Sequence, residues 1–280
     1  MVNTLHHSPC GAEGIFSKVW GSLHAPCLLL WALLLACGAS AHAASPLMIW
    51  PLDPVIEGQQ RAAALWIENR GPRPLSLQAR VMQWTQVDGK DALTAQKDVV
   101  ASPPISVIPP GARQMIRLMA THAVQPGTEH AYRVLVDELP PPLPEGVTTP
   151  PQMGVQIQLR YSVPLFVYAP GTVGQRMTPD LEKDRPLGAS PLQPDLTWHT
   201  ERDSDGTSLV VHNHGKGFAR LTQVHWTVER ASDVPIDAGL FGYVLPGSTR
   251  RWELDAPPPP GGALEASVNG RPASLRRRAP

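Results

Sequence analysis

Apolar and polar side chains alternate in short runs along this chain. In residues 75–87 Leu75, Leu77, Ala79 and Val81 are set against Ser76, Gln78, Arg80 and Met82. A period of two sends successive side chains to opposite faces of a strand. The same rhythm marks 61–69, 112–119, 131–139 and 155–168, bounded by turn residues such as Asn69-Arg70-Gly71-Pro72 and Pro109-Pro110-Gly111. No window of twelve residues carries a stripe of period 3.6, so helices are not predicted. Residues 169–194 are rich in Pro, Gly and charge, as in Ala169-Pro170-Gly171 and Thr178-Pro179-Asp180, and read as a domain junction with a loop. Beyond it the alternation resumes at 195–201, 207–213, 218–229, 239–245, 248–254 and 263–268, with turn signals at Asp205-Gly206 and Pro246-Gly247. Strands at this spacing predict antiparallel sandwiches on both sides of the junction. Arg276-Arg277-Arg278 reads as a solvated tail.

Composition sharpens this picture in three places. Proline is abundant at 32 residues and glycine at 23, neither with a period, which excludes collagen and disfavours long helices. The charges balance at 24 basic and 24 acidic residues, so nothing electrostatic points to nucleic acid. The first 43 residues read as an export signal: Lys18, then the apolar run Leu28–Ala36, then Ala41-His42-Ala43 as the cleavage site. Leu34-Leu35-Ala36-Cys37 also has the look of a lipoprotein processing box, a rival reading that would leave Cys37 lipidated. All three cysteines, Cys10, Cys27 and Cys37, lie in this leader. Cleavage after Ala43 leaves no cysteine, hence no disulfide framework, thiol enzyme or cysteine metal site. The expected organisation is a signal at 1–43, one domain at 44–168 and a second at 169–280.

Enzyme chemistry finds no footing. There is no phosphate-binding G-x-x-x-x-G-K-[ST], no H-E-x-x-H and no G-x-S-x-G. His212 and His214 would share one strand face, near His199 and His225, but no cysteine or carboxylate completes a metal set; no metal and no cofactor is expected. Trp50, Trp66, Trp84, Trp198, Trp226 and Trp252 are expected as core anchors rather than a sugar-stacking platform.

The segment that draws attention is Val155-Gln156-Ile157-Gln158-Leu159-Arg160-Tyr161-Ser162-Val163, apolar at odd positions and polar at even ones. It follows the proline-rich stretch Pro140–Pro151 and leads to the junction. An ordinary half-buried strand satisfies the pattern. A long strand at a sheet edge would instead offer free backbone groups and an apolar row to another chain.

Several pieces in order resemble one family. They are Ile49-Trp50-Pro51-Leu52-Asp53-Pro54, Ala64-Leu65-Trp66-Ile67-Glu68-Asn69, Ile108-Pro109-Pro110-Gly111, Tyr132-Arg133-Val134-Leu135-Val136-Asp137-Glu138-Leu139-Pro140, Arg160-Tyr161-Ser162-Val163-Pro164-Leu165-Phe166, Phe218-Ala219-Arg220-Leu221 and Phe241-Gly242-Tyr243-Val244-Leu245. Together they resemble the PapD-like periplasmic chaperones of the chaperone–usher pathway, most closely the archaic class. The resemblance implies an all-β chain of two immunoglobulin-like sandwiches in a boomerang arrangement. It also implies a donor strand, here 153–168, lent to a fimbrial subunit that lacks one. The implied partners are pilus subunits and an outer-membrane usher, with no nucleic acid, and the exposed edge favours a self-capping dimer when the chain is free. On this reading Val155, Ile157, Leu159 and Val163 fill the subunit's groove. The family's usual Arg and Lys that clamp the subunit's C-terminal carboxylate align with Asp53 and Pro164, which cannot do that work. Arg133 and Arg160 are the candidate replacements, since an arginine fork binds a carboxylate in two places and stays charged when desolvated. A reading from another class is an exported sugar- or copper-binding sandwich, which predicts a covered strand and clustered histidines or aromatics.

Overall fold

The computed structural model describes residues 47–122, 124–140, 158–169, 172–174, 191–204 and 206–278. In β4 (Leu75–Val87) the predicted alternation becomes burial: Leu77, Ala79 and Val81 face inward and Arg80 faces out. Trp84 breaks the rhythm, since it lies on the outer face yet is only 2% exposed. A second body must cover it there.

The first sandwich has two sheets. One runs in the order β1 (Leu47–Trp50), β3 (Ala62–Asn69), β8 (Arg113–Ala120), β6 (Val99–Ser102). The other runs β2 (Val55–Ile56), β10 (Arg160–Tyr168), β9 (Glu129–Leu139), β4, β5 (Lys90–Ala95), with β7 (Ile105–Ile108) also paired to β4. All these pairs are antiparallel except β2 with β10. Leu65, Ile67 and Leu118 from one sheet meet Leu77, Val134, Val136 and Leu165 from the other in a dry core.

The second sandwich pairs β15 (Thr249–Leu254), β12 (Thr207–Asn213), β11 (Leu196–Arg202) and β18 (Arg276–Arg277) in one sheet. The facing sheet is β14 (Val234–Val244), β13 (Ala219–Thr227), β16 (Ala263–Val268) and β17 (Arg271–Ser274). Trp198 and Trp226 meet edge to face at 5.1 Å at its centre, with Leu209, Leu221 and Leu264 around them. The architecture is therefore all-β, two immunoglobulin-like sandwiches in sequence.

Three expectations change. The side chains of Arg276–Arg278 are solvated as expected, but the backbone of this tail is not a free end. β18 runs parallel to β11, Arg278 N–H donates to the Trp198 carbonyl at 2.7 Å, and the Arg277 guanidinium lies 5.4 Å from the Trp198 ring. Edge pairing uses backbone groups, so a polar triplet can close a sheet while its charges stay in water. Of the six tryptophans, Trp84, Trp198 and Trp226 are buried core anchors, whereas Trp66 remains 36% exposed and stacks on Trp50 at 6.3 Å. Strand β14 begins at Val234, upstream of the expected 239–245.

One device appears in both sandwiches. Asn69 and Asn213 are fully buried at strand ends. Asn69 Nδ2 donates to the carbonyls of Arg73 and Ile108, and its Oδ1 accepts from Gly71 N–H. Asn213 Nδ2 donates to the carbonyls of Gly217 and Val244, and its Oδ1 accepts from Gly215 and Asp195 N–H. Each amide satisfies loop groups that would otherwise be buried unpaired. Asn213→Ala is expected to cost about 2–3 kcal/mol, since it orphans several buried groups at once. Differential scanning calorimetry checks this; an unchanged melting temperature would contradict it.

Candidate functional site

The two sandwiches share an aromatic seam. Trp84, Phe166 and Tyr168 from the first pack on Phe218, Tyr243 and Leu245 from the second. Phe166 and Phe218 stack at 3.9 Å and Trp84 meets Tyr243 edge-on at 5.3 Å. Phe166 and Tyr168 sit at even positions of β10, the set the alternation assigns to the polar face, so the seam exists because the second sandwich covers that face.

Two polar groups are enclosed here. The Glu129 carboxylate accepts from the Tyr168 hydroxyl at 2.9 Å and from Phe218 N–H at 3.1 Å. Burial pushes its carboxyl up to about 8, and these two hydrogen bonds pull only part of the way back. The other group is Arg133, whose register partners are Pro164 on β10 and Met82 on β4. Its guanidinium lies 3.7 Å from the Trp84 ring and 5.2 Å from the Tyr243 ring. Burial lowers its pKa, opposed by the nearby Tyr243 and Asp91. Among the described residues no carboxylate forms an ion pair with it. A cation held against indole and phenol, with no carboxylate paired to it among the described residues, has hydrogen-bond donors that an anion could use.

Arg160 is placed differently. It pairs in register with Asp137, and its Nε–H hydrogen-bonds that carboxylate, which Arg80 also grips at 2.7 Å. Burial raises the Asp137 carboxyl, but Arg160 and Arg80 outweigh it and hold it below its ordinary range. Arg160 is thus neutralised and exposed. Arg133 and Arg160 stand four register positions apart, about 13 Å along the sheet. The structure does not bring the two candidate arginines together, and only Arg133 reaches the seam. Pro164 is buried opposite Arg133. Asp53 is close enough to Tyr243 to push its phenol up, though burial is the largest cause of that shift.

The edge of β10 completes the geometry. On one side β9 pairs with it from Arg160 to Tyr168. On the other, β2 covers only Phe166 and Val167. Among the described residues no strand pairs with the Arg160–Leu165 stretch on that side. The odd-position face packs inward as Val163, Leu165 and Val167, with Tyr161 at its margin. Val163, expected to fill a partner's groove, therefore sits in this sandwich's own core, 5% exposed, because the sheet is already covered at that point. Leu159 is 36% exposed, and its carbonyl still accepts Glu138 N–H at 3.0 Å, so the ladder continues upstream of Arg160. Val155 and Ile157 lie outside the described residues.

The histidines form no such site. His212 and His214 rings are 4.1 Å apart, and each is hydrogen-bonded to a threonine, Thr249 and Thr197. Among the described residues no group of three or more His, Cys, Asp or Glu could hold a metal ion.

Residues 54–173 match the family of pili and flagellar-assembly chaperones, PapD N-terminal domain. Those residues carry a PapD-like pilus-chaperone N-terminal domain. It is similar to a chain in the crystal structure of the CsuC–CsuE chaperone–tip adhesion subunit pre-assembly complex, from archaic chaperone-usher Csu pili of Acinetobacter baumannii. The identity is 29% and the TM-score 0.65, over 83% of this chain and 99% of that one. The YadV chaperone (18% identity, TM-score 0.53, 82% of this chain and 96% of that) shares the fold. So does a chain of the Salmonella enterica SafA pilin in complex with the SafB chaperone (16%, 0.51, 84% and 96%). Among curated proteins no relative is found.

The seam also holds Glu129, which sequence reasoning did not single out, and it gives Trp84 and Tyr243 a place between the sandwiches that the sequence did not show. A usable signal was present for some of them. Phe166, Tyr168 and Trp84 are bulky aromatics on the polar side of otherwise alternating strands, which marks a face covered by something else.

Proposed function

We propose that this chain is a pilus-assembly chaperone of the archaic class and works by donor-strand complementation. Its strand 153–168 is lent to a fimbrial subunit, with Val155, Ile157 and Leu159 filling the subunit's open groove and Arg133 taking its C-terminal carboxylate. The observation that carries the reading is the odd-position row of β10. It is sealed in the chain's own core from Val163 onward and comes into the open at Leu159, beside an uncovered strand edge. A subunit lacking its last strand needs such a row in that register, with backbone groups free to pair.

The rest of the reading follows from it. The chain is exported to the periplasm through a signal at 1–43, residues 44–168 form the subunit-binding domain and 169–280 the second domain. The loaded complex is delivered to an outer-membrane usher, and the free chain protects its apolar row by self-capping as a dimer. The 29% identity to a chain from an archaic chaperone–subunit complex supports the class. No catalytic step is involved. Burial of the three donor side chains contributes roughly 5–9 kcal/mol gross, at about 1.5–3 kcal/mol each.

The test is co-expression of the full chain with a cognate pilin, followed by capture from periplasmic extract. Leu159→Ala and Ile157→Ala are each expected to weaken capture by about 1.5–3 kcal/mol, roughly tenfold or more. Capture at wild-type level by both variants would remove strand donation through this segment.

A further inference from the structure

The tip of the β4–β5 hairpin reaches across to the second sandwich. Asp88 and Gly89 adopt φ of 51° and 75°, the pair a two-residue Asp-Gly hairpin turn requires. The Gly89 carbonyl accepts from Arg251 N–H at 3.1 Å and from Arg250 Nη1 at 3.3 Å. A Cβ on residue 89 would come within 2.8 Å of Arg251 Cβ, so glycine alone permits this approach. Nearby, one side-chain amide imitates a neighbouring strand. Gln86 Nε2 donates to the Tyr243 carbonyl at 2.9 Å and Gln86 Oε1 accepts Leu245 N–H at 2.9 Å.

These contacts connect to the anchor. Gln86 Nε2 also donates to Asp91 Oδ1 at 3.0 Å, and the same oxygen accepts the Trp84 indole N–H at 2.9 Å. Arg250 Nη1 stands 3.6 Å from that oxygen. The Trp84 ring, fixed in this way, is the plane on which the Arg133 guanidinium rests. A long side chain pre-stacked on a fixed ring gives up less rotamer freedom when its ligand arrives.

We propose that Gln86, Gly89 and Asp91 are positioning residues that clip the second sandwich to the hairpin and hold the Trp84 plane so that Arg133 is set for an incoming carboxylate. This rests on the reading of Arg133 as the carboxylate anchor. The clip itself stands independently of that reading.

The test uses the full chain in two arms. Small-angle scattering compares the wild type with Gln86→Leu and Gly89→Asn; asparagine tolerates positive φ, so the second change isolates the contact with Arg251. In parallel, the Arg133 Nε–H resonance is followed during titration with N-acetyl-alanyl-phenylalanine as the free acid and as the amide. Both variants are expected to broaden the scattering-derived size distribution. They should also reduce the wild-type preference for acid over amide by roughly three- to tenfold, the range of coupling within one bonded network. Asp91→Ala should lose the preference as well, and Asp91→Asn, which keeps the acceptor oxygen for Trp84 and Gln86, should restore it. Unchanged scattering in both hairpin variants overturns the clip. A preference that survives Asp91→Ala overturns the positioning role. If the wild type does not distinguish acid from amide, the anchor reading falls and takes the positioning role with it, while the scattering arm still decides the clip.

Discussion

Arg133→Ala is expected to weaken the chaperone–subunit complex by roughly 3–5 kcal/mol while leaving the free chain almost as stable as before. The asymmetry follows from where the guanidinium sits. In the free chain it is desolvated against Trp84 and Tyr243 with no paired carboxylate among the described residues, so burial and the cation–π contact oppose each other. Removing it there changes stability by only about 1 kcal/mol in either direction. In the proposed complex the same deletion leaves a subunit carboxylate in a partly dry seam with nothing to meet it. The loss corresponds to a hundredfold or greater drop in affinity. Titration calorimetry with a purified subunit, beside thermal unfolding of the free variant, reads the two effects separately. Arg133→Lys should fall between, since an ammonium keeps the charge but loses the flat stack on Trp84 and the two-point fork. A variant that destabilises the free chain as much as the complex would make Arg133 structural.

If Arg133 is the anchor, as proposed, Asp53 and Pro164 need not supply the clamp that the family resemblance implies at their positions. Pro164 lies directly across from Arg133 in register. A cation supplied from β9 at this register lies on the strand next to the position a cation from β10 would take. Arg160, the other candidate, is also on the outer face, but Asp137 and Arg80 already complete its electrostatics. Sequence spacing cannot distinguish these two arginines, because both lie on the polar face of alternating strands. The difference comes from what lies above each: the second sandwich over Arg133 and solvent over Arg160.

Much of the fold was legible because alternation is a local signal. β4 and β12 run over the residues the pattern assigns, and β3, β8, β11 and β13 differ from it only at their ends. β1, β2, β6, β7 and β17 were not anticipated, being two to four residues long, too short for a period to register. β5 was missed for another reason. Its residues are nearly all exposed, so no alternation marks it. The donor row was legible as a pattern, but its division was not. That Val163 belongs to the chain's own core while Leu159 is uncovered depends on how far the facing sheet extends over β10, a tertiary fact. The seam was the least legible part. Glu129 opens β9 as one acidic residue among many, and only the fold places it between Tyr168 and Phe218.

That placement gives the stability of the chain a pH-dependent contribution from one buried group. An ordinary glutamate, with a reference value of 4.5, is ionised at neutrality, whereas Glu129 in the folded chain is pushed up to about 8 by burial. The folded state therefore holds a proton that the unfolded chain releases throughout the window between those values. Binding more protons when folded means that this group's contribution to stability is greatest below about 4.5 and falls as pH rises through the window. The slope approaches about 1.4 kcal/mol per pH unit, and the full effect is on the order of 4–5 kcal/mol. Other carboxylates act in the opposite sense at the acid end, Asp137 among them, since its folded pKa is lowered. The decline from Glu129 is therefore cleanest from pH 6 to 8. Glu129→Gln should abolish that decline, because the amide oxygen can still accept from Phe218 N–H while nothing titrates. Denaturant unfolding of both proteins at pH 6 and pH 8 gives the answer: the wild type should lose stability on going to the higher pH and the variant should not. Parallel losses in the two would place the titrating group elsewhere. A variant that loses its stability equally at both values would show that the carboxylate is ionised in the seam and that its charge holds Phe218 and Tyr168 in place.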